Sequence, residues 1–202
     1  MPKRDNNSLL GGLTFEELMA EVGSEPTSAR THSSQSKAVS STNRKSRGSV
    51  EFNILHNYGK LSNRKSAASF MLVDWDGYKR YDLRAWNEDY SVPFKGLSFT
   101  DDEIRLLKNA LSKYSPQRYS NPKAVVDMGK VTVKIYHTLC ELSSSVIKGV
   151  TWTKQVSVAD WGYGQKIDFR RWAEKYEKCS KGICLTSDEL NTLISILSDI
   201  SL

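Results

Sequence analysis

The sequence predicts an α+β protein made of two tandem ββββα modules, each an antiparallel curved sheet followed by a C-terminal helix. Two observations lead to this fold class. The chain contains an internal repeat, in which the segment around Trp75 matches the segment around Trp161. Within each repeat, four strand-like segments precede one capped amphipathic segment. We therefore expect modules at residues 49–112 and 131–202, a linker at 113–130 and a tail at 1–48.

The repeat keeps one offset over most of its length. With Trp75 placed over Trp161, the offset is 86 residues, and further residues match without a gap. Upstream the offset falls to 81, which aligns Ile54 with Ile135 and predicts a five-residue insertion around Ser144–Gly149 in the second copy. The matched pairs are Asp82/Asp168, Arg84/Arg170, Trp86/Trp172, Lys95-Gly96/Lys181-Gly182, Thr100/Thr186, His56/His137, Leu61/Leu142 and Ser62/Ser143.

The strands follow from β-branched and aromatic residues in partial alternation, with glycine-containing turns between them. Asp82, Arg84 and Trp86 are expected on one face of the third strand, because side chains alternate along a strand. We interpret the Asp–Arg pairs as ion pairs that orient the sheet, and Trp86 and Trp172 as core residues. The predicted strands are Phe52–Tyr58, Ser69–Trp75, Lys79–Trp86 and Lys95–Phe99, then Val131–Leu139, Trp152–Trp161, Lys166–Trp172 and Lys181–Leu185.

Each module ends in a predicted helix with a capping box. Thr100 and Glu103 in the first copy, and Thr186 and Glu189 in the second, have the spacing in which the two residues cap each other's backbone N–H groups. Leucine and isoleucine residues at helical spacing follow each cap. The segment Ser112–Lys130, which contains Pro116 and Pro122, is interpreted as the linker between the modules.

The tail, residues 1–48, is rich in Ser, Thr, Lys and Arg and poor in large apolar side chains, so we expect it to be disordered. Thr14–Glu17 forms a further capping box and predicts a short amphipathic helix near residues 14–22. Such a short helix is marginal in water, so it would fold on a protein partner or on the body of the chain. Its apolar side would consist of Phe15, Leu18, Met19 and Val22.

Composition and motifs favour a binding protein over an enzyme. The net charge of +6 favours a polyanionic partner. The three cysteines lack the spacing of a disulfide framework or a zinc site, so we expect free thiols, a reducing intracellular compartment and no cofactor. No GxxxxGK[ST], GxSxG or HExxH motif is present. The basic clusters at residues 2–4 and 44–47 are candidate nuclear import signals or phosphate contacts.

The order of elements and the motifs of each module resemble the C-terminal domain of the transcriptional coactivator family called positive cofactor four. The resemblance rests on two segments per copy, which cover roughly residues 50–112 and 131–200. The first copy has Trp75, then Asp82-Leu-Arg-Ala-Trp86, then Lys95-Gly-Leu-Ser-Phe-Thr100. The second copy has Trp161, then Asp168-Phe-Arg-Arg-Trp172, then Lys181-Gly-Ile-Cys-Leu-Thr186.

The resemblance implies binding of single-stranded DNA, and sometimes RNA, across a curved sheet. Family members dimerise through their helices, so two copies in one chain imply an intrachain pseudo-dimer, either monomeric or within a higher homo-oligomer. The resemblance implies a transcription coactivator, for which we expect a nuclear location. A role in replication, repair or viral genome binding would leave the same residues, and the sequence does not choose between these settings. The family normally has one module per chain, and the duplication is a departure. The alternative is a protein-interaction scaffold that keeps the fold without binding nucleic acid.

Sequence-tolerant binding of single strands needs aromatic faces for bases and basic side chains for phosphates. Trp152 and Lys154 are expected on one strand face, where a base and its phosphate could be held together. The first copy has Ser66 and Ala68 at these positions, so we hypothesise that the second copy binds more strongly. The second-copy candidates are Lys148, Trp152, Lys154, Trp161, Tyr163 and Lys166; those of the first are Lys60, Arg64, Lys65, Trp75, Lys79 and Arg80, with Phe70 and Tyr78 as further aromatics.

Overall fold

The structure is a computed structural model that describes residues 51–64 and 67–202. The predicted tail at 1–48, its helix near residues 14–22, and Lys65 and Ser66 lie outside the described residues. The first module contains an antiparallel sheet in the order β1-β2-β3-β4. Its strands are β1 (Phe52–Lys60), β2 (Ala68–Trp75), β3 (Tyr78–Trp86) and β4 (Pro93–Phe99), and helix α1 (Asp101–Ser112) follows.

The second module contains a five-stranded antiparallel sheet and one helix. The sheet order is β5-β6-β7-β8-β9. Its elements are β5 (Ala124–Asp127), β6 (Thr132–Ile147), β7 (Val150–Asp160), β8 (Gln165–Ala173), a 3-10 turn (Glu174–Tyr176), β9 (Ile183–Leu185) and α2 (Ser187–Asp199). The predicted α+β class, with four strands and a helix repeated along the chain, is confirmed.

Strand β5 corrects the sequence prediction, which placed residues 113–130 in a linker. Ala124 pairs with Ile135 and Asp127 pairs with Thr132, so β5 adds a fifth strand at the edge of the sheet. The turn that follows is fixed by Gly129, which has a φ of 79° and donates its N–H to the Asp127 carboxylate at 2.8 Å. The run Ala-Val-Val-Asp is too short for its period to stand out from a loop.

The strand registers of the two modules match residue by residue. Ile54 faces Val73 in the first sheet, and Ile135 faces Ala159 in the second, which confirms the offsets of 81 and 86. The two register shifts of β1 recur at equivalent positions in β6, which carries a third shift between Glu141 and Ser143. Beyond them β6 and β7 continue as a longer hairpin that closes at Lys148-Gly149, so the insertion lies where the sequence predicts it.

Each helix begins at its predicted capping box. The Thr100 hydroxyl accepts the Glu103 N–H, and the Glu103 carboxylate accepts the Thr100 N–H at 2.9 Å. Thr186 and Glu189 repeat this arrangement at the start of α2. The leucine stripes are buried, with Leu107 and Leu193 both fully removed from solvent. Neither helix of the described residues is both long and apolar enough to cross a membrane.

One hydrophobic core extends across both modules. Phe70 and Leu83 from the first sheet and Val156 and Phe169 from the second belong to the same buried cluster, together with leucines of both helices. Helix α1 also contacts β6 and α2 of the other module. Burial of this shared apolar surface is the main force that holds the modules together. The two modules therefore pack against each other within the chain, as the family resemblance implies.

The capping glutamates make reciprocal contacts across the module boundary. Glu103 of the first module accepts hydrogen bonds from Ser143 and Lys154 of the second. Glu189 of the second module accepts hydrogen bonds from Ser62 and Arg64 of the first. Ser62 and Ser143 are matched positions of the repeat, so the boundary has approximate two-fold symmetry.

Candidate nucleic-acid interface

A stack of an Asp–Arg pair, on β3 and again on β8, against a tryptophan is the first feature of the candidate site. In the first module the Arg84 guanidinium makes two hydrogen bonds to Asp82, of 2.8 and 3.0 Å, and lies 5.1 Å from the Trp75 ring centroid. Asp82 is completely buried, so this bidentate pair neutralises its charge inside the protein. The predicted same-face ion pair is confirmed here.

The second module repeats the stack with one difference. The Arg170 guanidinium binds Asp168 at 2.7 and 2.9 Å and lies 3.8 Å from the Trp161 ring centroid. Trp161 is only half-buried, whereas Trp75 is 1% exposed. Trp161 thus presents part of its ring at the surface, and Trp75 is a core residue.

A groove of about 1140 Å³ lies between the two modules, and we call it the wide groove. One wall comes from β3 and β4 of the first module, and the other comes from β7, β8 and β9 of the second. Two of its lining residues, Gly96 on β4 and Gly182 just before β9, lie very close to the neighbouring strands. A Cβ at Gly96 would lie 2.4 Å from the Leu83 carbonyl oxygen, and one at Gly182 would lie 2.5 Å from that of Phe169.

Basic side chains dominate the charge of the wide groove. Lys95, Lys166 and Lys181 line it, and within the part of the chain that the structure describes none of the three forms an ion pair. Arg64 also lines it and pairs with Glu189, the single acidic residue among the lining side chains. The groove therefore has an excess of positive charge suited to a phosphate backbone.

Two exposed aromatic rings accompany these lysines. Phe94 is 53% exposed beside Lys95 on β4, and Tyr163 is 84% exposed in the turn between β7 and β8. Exposed aromatic rings of this kind offer faces on which unpaired bases can stack. Together with the partly exposed Trp161, they give the wide groove both components that single-strand binding requires.

A second groove, the narrow groove, has a volume of about 460 Å³. It lies at the position that the approximate two-fold symmetry of the modules relates to the wide groove. Tyr78 is 40% exposed, and the Arg80 guanidinium lies 5.9 Å from the Tyr78 ring centroid. By the repeat offset of 86, these two residues are equivalent to Gly164 and Lys166 of the wide groove. Its lining also includes Arg171 and Lys181, but it contains the carboxylates of Asp102 and Glu103. It is smaller and less positive than the wide groove.

Six of the twelve predicted binding residues line one of the two grooves. Arg64, Trp161, Tyr163 and Lys166 line the wide groove, and Arg80 and Lys154 line the narrow one. Elsewhere, Lys60 lies 5.8 Å from the Tyr90 ring centroid, Lys79 is exposed on β3, and Lys148 is exposed at the hairpin tip. Trp75 is buried under Arg84, and Phe70 lies in the shared core. Lys65 falls outside the described residues.

The structure contradicts the expectation of an exposed surface at Trp152 and Lys154. Trp152 is 5% exposed and Lys154 is 6% exposed. The Lys154 ammonium donates to the Ser98 carbonyl at 2.8 Å and to Glu103 at 2.7 Å, so its charge is used inside the protein. Strand alternation correctly placed both on one face, but it could not show that both side chains are buried, Lys154 against the first module. The hypothesis of stronger binding by the second copy loses its basis, because each groove has walls from both modules.

Sequence reasoning missed Phe94, Lys95, Arg171 and Lys181 as binding candidates. A signal for two of them was present, because Lys95-Gly96 and Lys181-Gly182 recur in register. The glycine brings the strands together, and the preceding lysine then lies at the groove. Phe94 and Arg171 have no counterpart of the same type in the repeat, and nothing in the sequence alone distinguishes them.

The three thiols are half-buried and weakly acidic. Burial raises the pKa of Cys140 to about 11 and, with the Asp168 charge close by, the pKa of Cys184 to about 12. Across residues 51–64 and 67–202, no cluster of His, Cys, Asp and Glu side chains could hold a metal ion.

Comparisons with known proteins agree with this geometry. The family described as Transcriptional Coactivator p15 (PC4) matches residues 148–196, which run from the tip of the β6–β7 hairpin into α2. An uncharacterized protein of Treponema pallidum (strain Nichols) is 34% identical over 71 residues, which are 34% of this chain and 84% of that protein. No solved structure matches the chain significantly. The chain therefore contains one domain of the Transcriptional Coactivator p15 (PC4) family, at residues 148–196.

Proposed function

We propose that the chain binds single-stranded nucleic acid in the wide groove, without strong sequence preference, with DNA favoured and RNA also accepted. The observation that carries this proposal is the combination of three lysines with exposed aromatic rings in one inter-module groove. The family at residues 148–196 supports the same conclusion, because its fold is one that binds single strands.

The arrangement assigns a role to each side chain. Tyr163 and Phe94 stack against bases, which every nucleotide allows because every base has a flat π face. Lys95, Lys166 and Lys181 contact phosphates, and these contacts release counterions from the strand. A duplex hides its base faces inside the stack, so the aromatic contacts favour single strands over duplexes.

The first module is, in this proposal, a second copy of the same family domain. Its matching registers, bulges, Asp–Arg–Trp stack and capping box support the assignment. Both copies are needed for binding, because the first supplies Phe94 and Lys95 and the second supplies Tyr163, Lys166 and Lys181. The protein acts as a non-enzymatic, coactivator-like or replication, repair or genome-binding factor, and we propose a nuclear location.

The test is fluorescence anisotropy with labelled single-stranded DNA, single-stranded RNA and duplex DNA of equal length. The wild-type chain should prefer the single strands. The double variant Phe94→Ala/Tyr163→Ala should lose at least about tenfold in affinity, since one base–aromatic stack is worth about 1–3 kcal/mol. Val125→Ala, which trims a side chain that is 60% exposed on β5 away from the groove residues, should bind like the wild type.

Two results would count against the proposal. Absence of binding to any strand at low salt would leave the protein-interaction scaffold as the better account. Binding that the aromatic double variant retains in full, with the fold intact by circular dichroism, would exclude the wide groove as the stacking site.

A further inference from the structure

A further cleft opens beside the wide groove, under the segment that joins the two modules. It has a volume of about 510 Å³, a size typical of sites for small molecules, which run from about 300 to 1,000 Å³. The joining segment, residues 113–123, forms one wall through Tyr114, Pro116 and Arg118. The second module forms the other wall through residues of β6, β7, β8, β9 and α2. We call this space the side cleft.

Gln165 fixes the joining segment against the second sheet. Its side-chain Nε2 donates to the Tyr119 carbonyl at 2.6 Å, and its Oε1 accepts the Tyr119 N–H at 3.0 Å. The Tyr119 ring stacks on His137, with ring centroids 5.3 Å apart and an angle of 16° between the planes. Because these contacts hold Tyr119 in place, the adjacent Arg118 is held as part of the cleft wall.

The charge of the side cleft is positive. Arg118 is exposed, Lys166 is half-buried, and no described residue forms an ion pair with either of them. Asp160 is the single carboxylate among the lining residues. Its Oδ1 already accepts the N–H groups of Gly162 and Gly164, at 2.8 and 3.0 Å. The side cleft therefore favours an anionic occupant.

The side cleft is continuous with the wide groove. Gly164, Lys166 and Leu185 line both spaces. The wide groove meets the narrow groove at a different place, where Gly96 and Lys181 line both. A nucleic-acid strand that lies in the wide groove and extends past Lys166 therefore enters the side cleft.

The joining segment gives the second sheet a feature that the repeat itself does not contain. By the repeat offset of 86, Lys79 stands in the first copy where Gln165 stands in the second. Lys79 is exposed, so within the described part of the chain no segment is fixed over that edge of the first sheet. The side cleft thus extends the interface at one end only.

We propose that the side cleft is an additional subsite for single-stranded nucleic acid, an inference that rests on the proposed function of the wide groove. It takes the nucleotides that leave the wide groove past Lys166. Lys166 contacts the phosphate at the junction, and Arg118 contacts a phosphate beyond it. Tyr114, which is half-buried, and Pro116 form an apolar wall for a sugar or a base.

The test is fluorescence anisotropy with oligothymidylates that lengthen by one nucleotide at a time. Arg118→Ala should bind short strands, which fill the wide groove alone, as tightly as the wild type does. For strands long enough to enter the side cleft, the variant should lose about fivefold in affinity in about 0.1 M salt, since it lacks one phosphate contact. For those strands its slope of log K against log salt should be shallower by about 0.7.

Lys113→Ala is the matched control, because it removes the same charge from the same segment at an exposed position outside the side cleft. It should match the wild type at every strand length. Arg118 is also exposed, so its truncation should leave the fold intact, which circular dichroism would verify.

The outcomes separate this inference from the proposed function. If the wild type binds single strands and Arg118→Ala equals it at every length, the side cleft is not a subsite, while binding in the wide groove stands. An equal loss for short and long strands would also overturn the subsite, because Arg118 would then act within the wide groove. If the wild type binds no strand, both proposals fail.

Discussion

The ammonium of Lys154 lies 2.7 Å from the carboxylate of Glu103, and this buried ion pair joins the second module to the helix cap of the first. Burial lowers the pKa of Lys154 to about 8, although the Glu103 charge offsets part of that effect. Burial alone would raise the pKa of Glu103, but the charge and hydrogen bond of Lys154 outweigh it and hold that pKa below its ordinary value. Both groups are charged at neutral pH.

Replacement of Lys154 by methionine should destabilise the protein by about 3–5 kcal/mol, because it leaves the Glu103 charge buried without its partner. The measurement is the free energy of unfolding from urea titration at neutral pH. Lys154→Met/Glu103→Gln should recover part of the loss, since the buried charge is then absent. Equal stability of Lys154→Met and the wild type would contradict the role of the pair.

Acid should weaken the contact between the modules. The pKa of Glu103 is lowered, as is that of Glu189, where hydrogen bonds from Thr186 and Arg64 outweigh the effect of burial. A carboxyl group with a lowered folded-state pKa contributes its full stability above its unfolded pKa of about 4.5 and loses it as the pH falls through the folded value.

The free energy of unfolding should therefore fall between about pH 5 and pH 3. Glu189→Gln removes one of the two titrating groups, so its stability should decline less steeply over that interval. An identical decline in the variant would show that Glu189 does not contribute to the acid sensitivity.

Alanine at Gly96 should disturb the approach of β4 to β3. The new Cβ would lie 2.4 Å from the Leu83 carbonyl oxygen and 2.6 Å from the Arg84 Cβ, so the backbone must shift. Overpacking of this kind costs about 1–3 kcal/mol, which differential scanning calorimetry would register as a lower Tm. Lys95→Ala on the same strand, at an exposed position, should leave Tm almost unchanged. A Tm for Gly96→Ala equal to the wild-type value would refute the packing argument.

The folded protein should react slowly with thiol reagents at neutral pH. Burial raises the pKa of Cys140 and of Cys184 to about 11 and about 12, and it also raises that of Cys179, so thiolate is scarce in all three. Labelling with a chromogenic disulfide should be slow in buffer and fast in denaturant. Rapid reaction of one thiol in the folded protein would show that a cysteine is more accessible than the structure places it.

The repeat let the sequence predict most of the fold. Two copies related by fixed offsets supply the same pattern twice, so each strand and cap is supported by its counterpart, as with Ile54 and Ile135 or Thr100 and Thr186. Strand β5 was not predicted, because the first copy has no described counterpart of this strand and because the four residues of β5 show no clear period.

The candidate site was less predictable, because burial at a module boundary is a tertiary property. Trp152 and Lys154 have the composition of a binding surface, yet both are buried, and Lys154 bonds to Ser98 and Glu103 of the first module. Lys95 and Lys181 belong to a conspicuous motif, but their position at the groove depends on where the two sheets meet. Local patterns specify strand faces, and only the assembled pair shows which faces remain exposed.

The measurement that tests the central claim most directly is the salt dependence of single-stranded DNA affinity for the wild type and for Lys95→Ala/Lys181→Ala. Each phosphate contact adds about 0.7 to the slope of log K against log salt for a single strand. The double variant should bind more weakly and show a slope shallower by about 1.4. Lys113→Ala/Lys130→Ala, which removes the same charge at exposed positions outside both lysine-lined grooves, should keep the wild-type slope. Equal slopes for the wild type and the groove variant would contradict the assignment of the wide groove as the nucleic-acid interface.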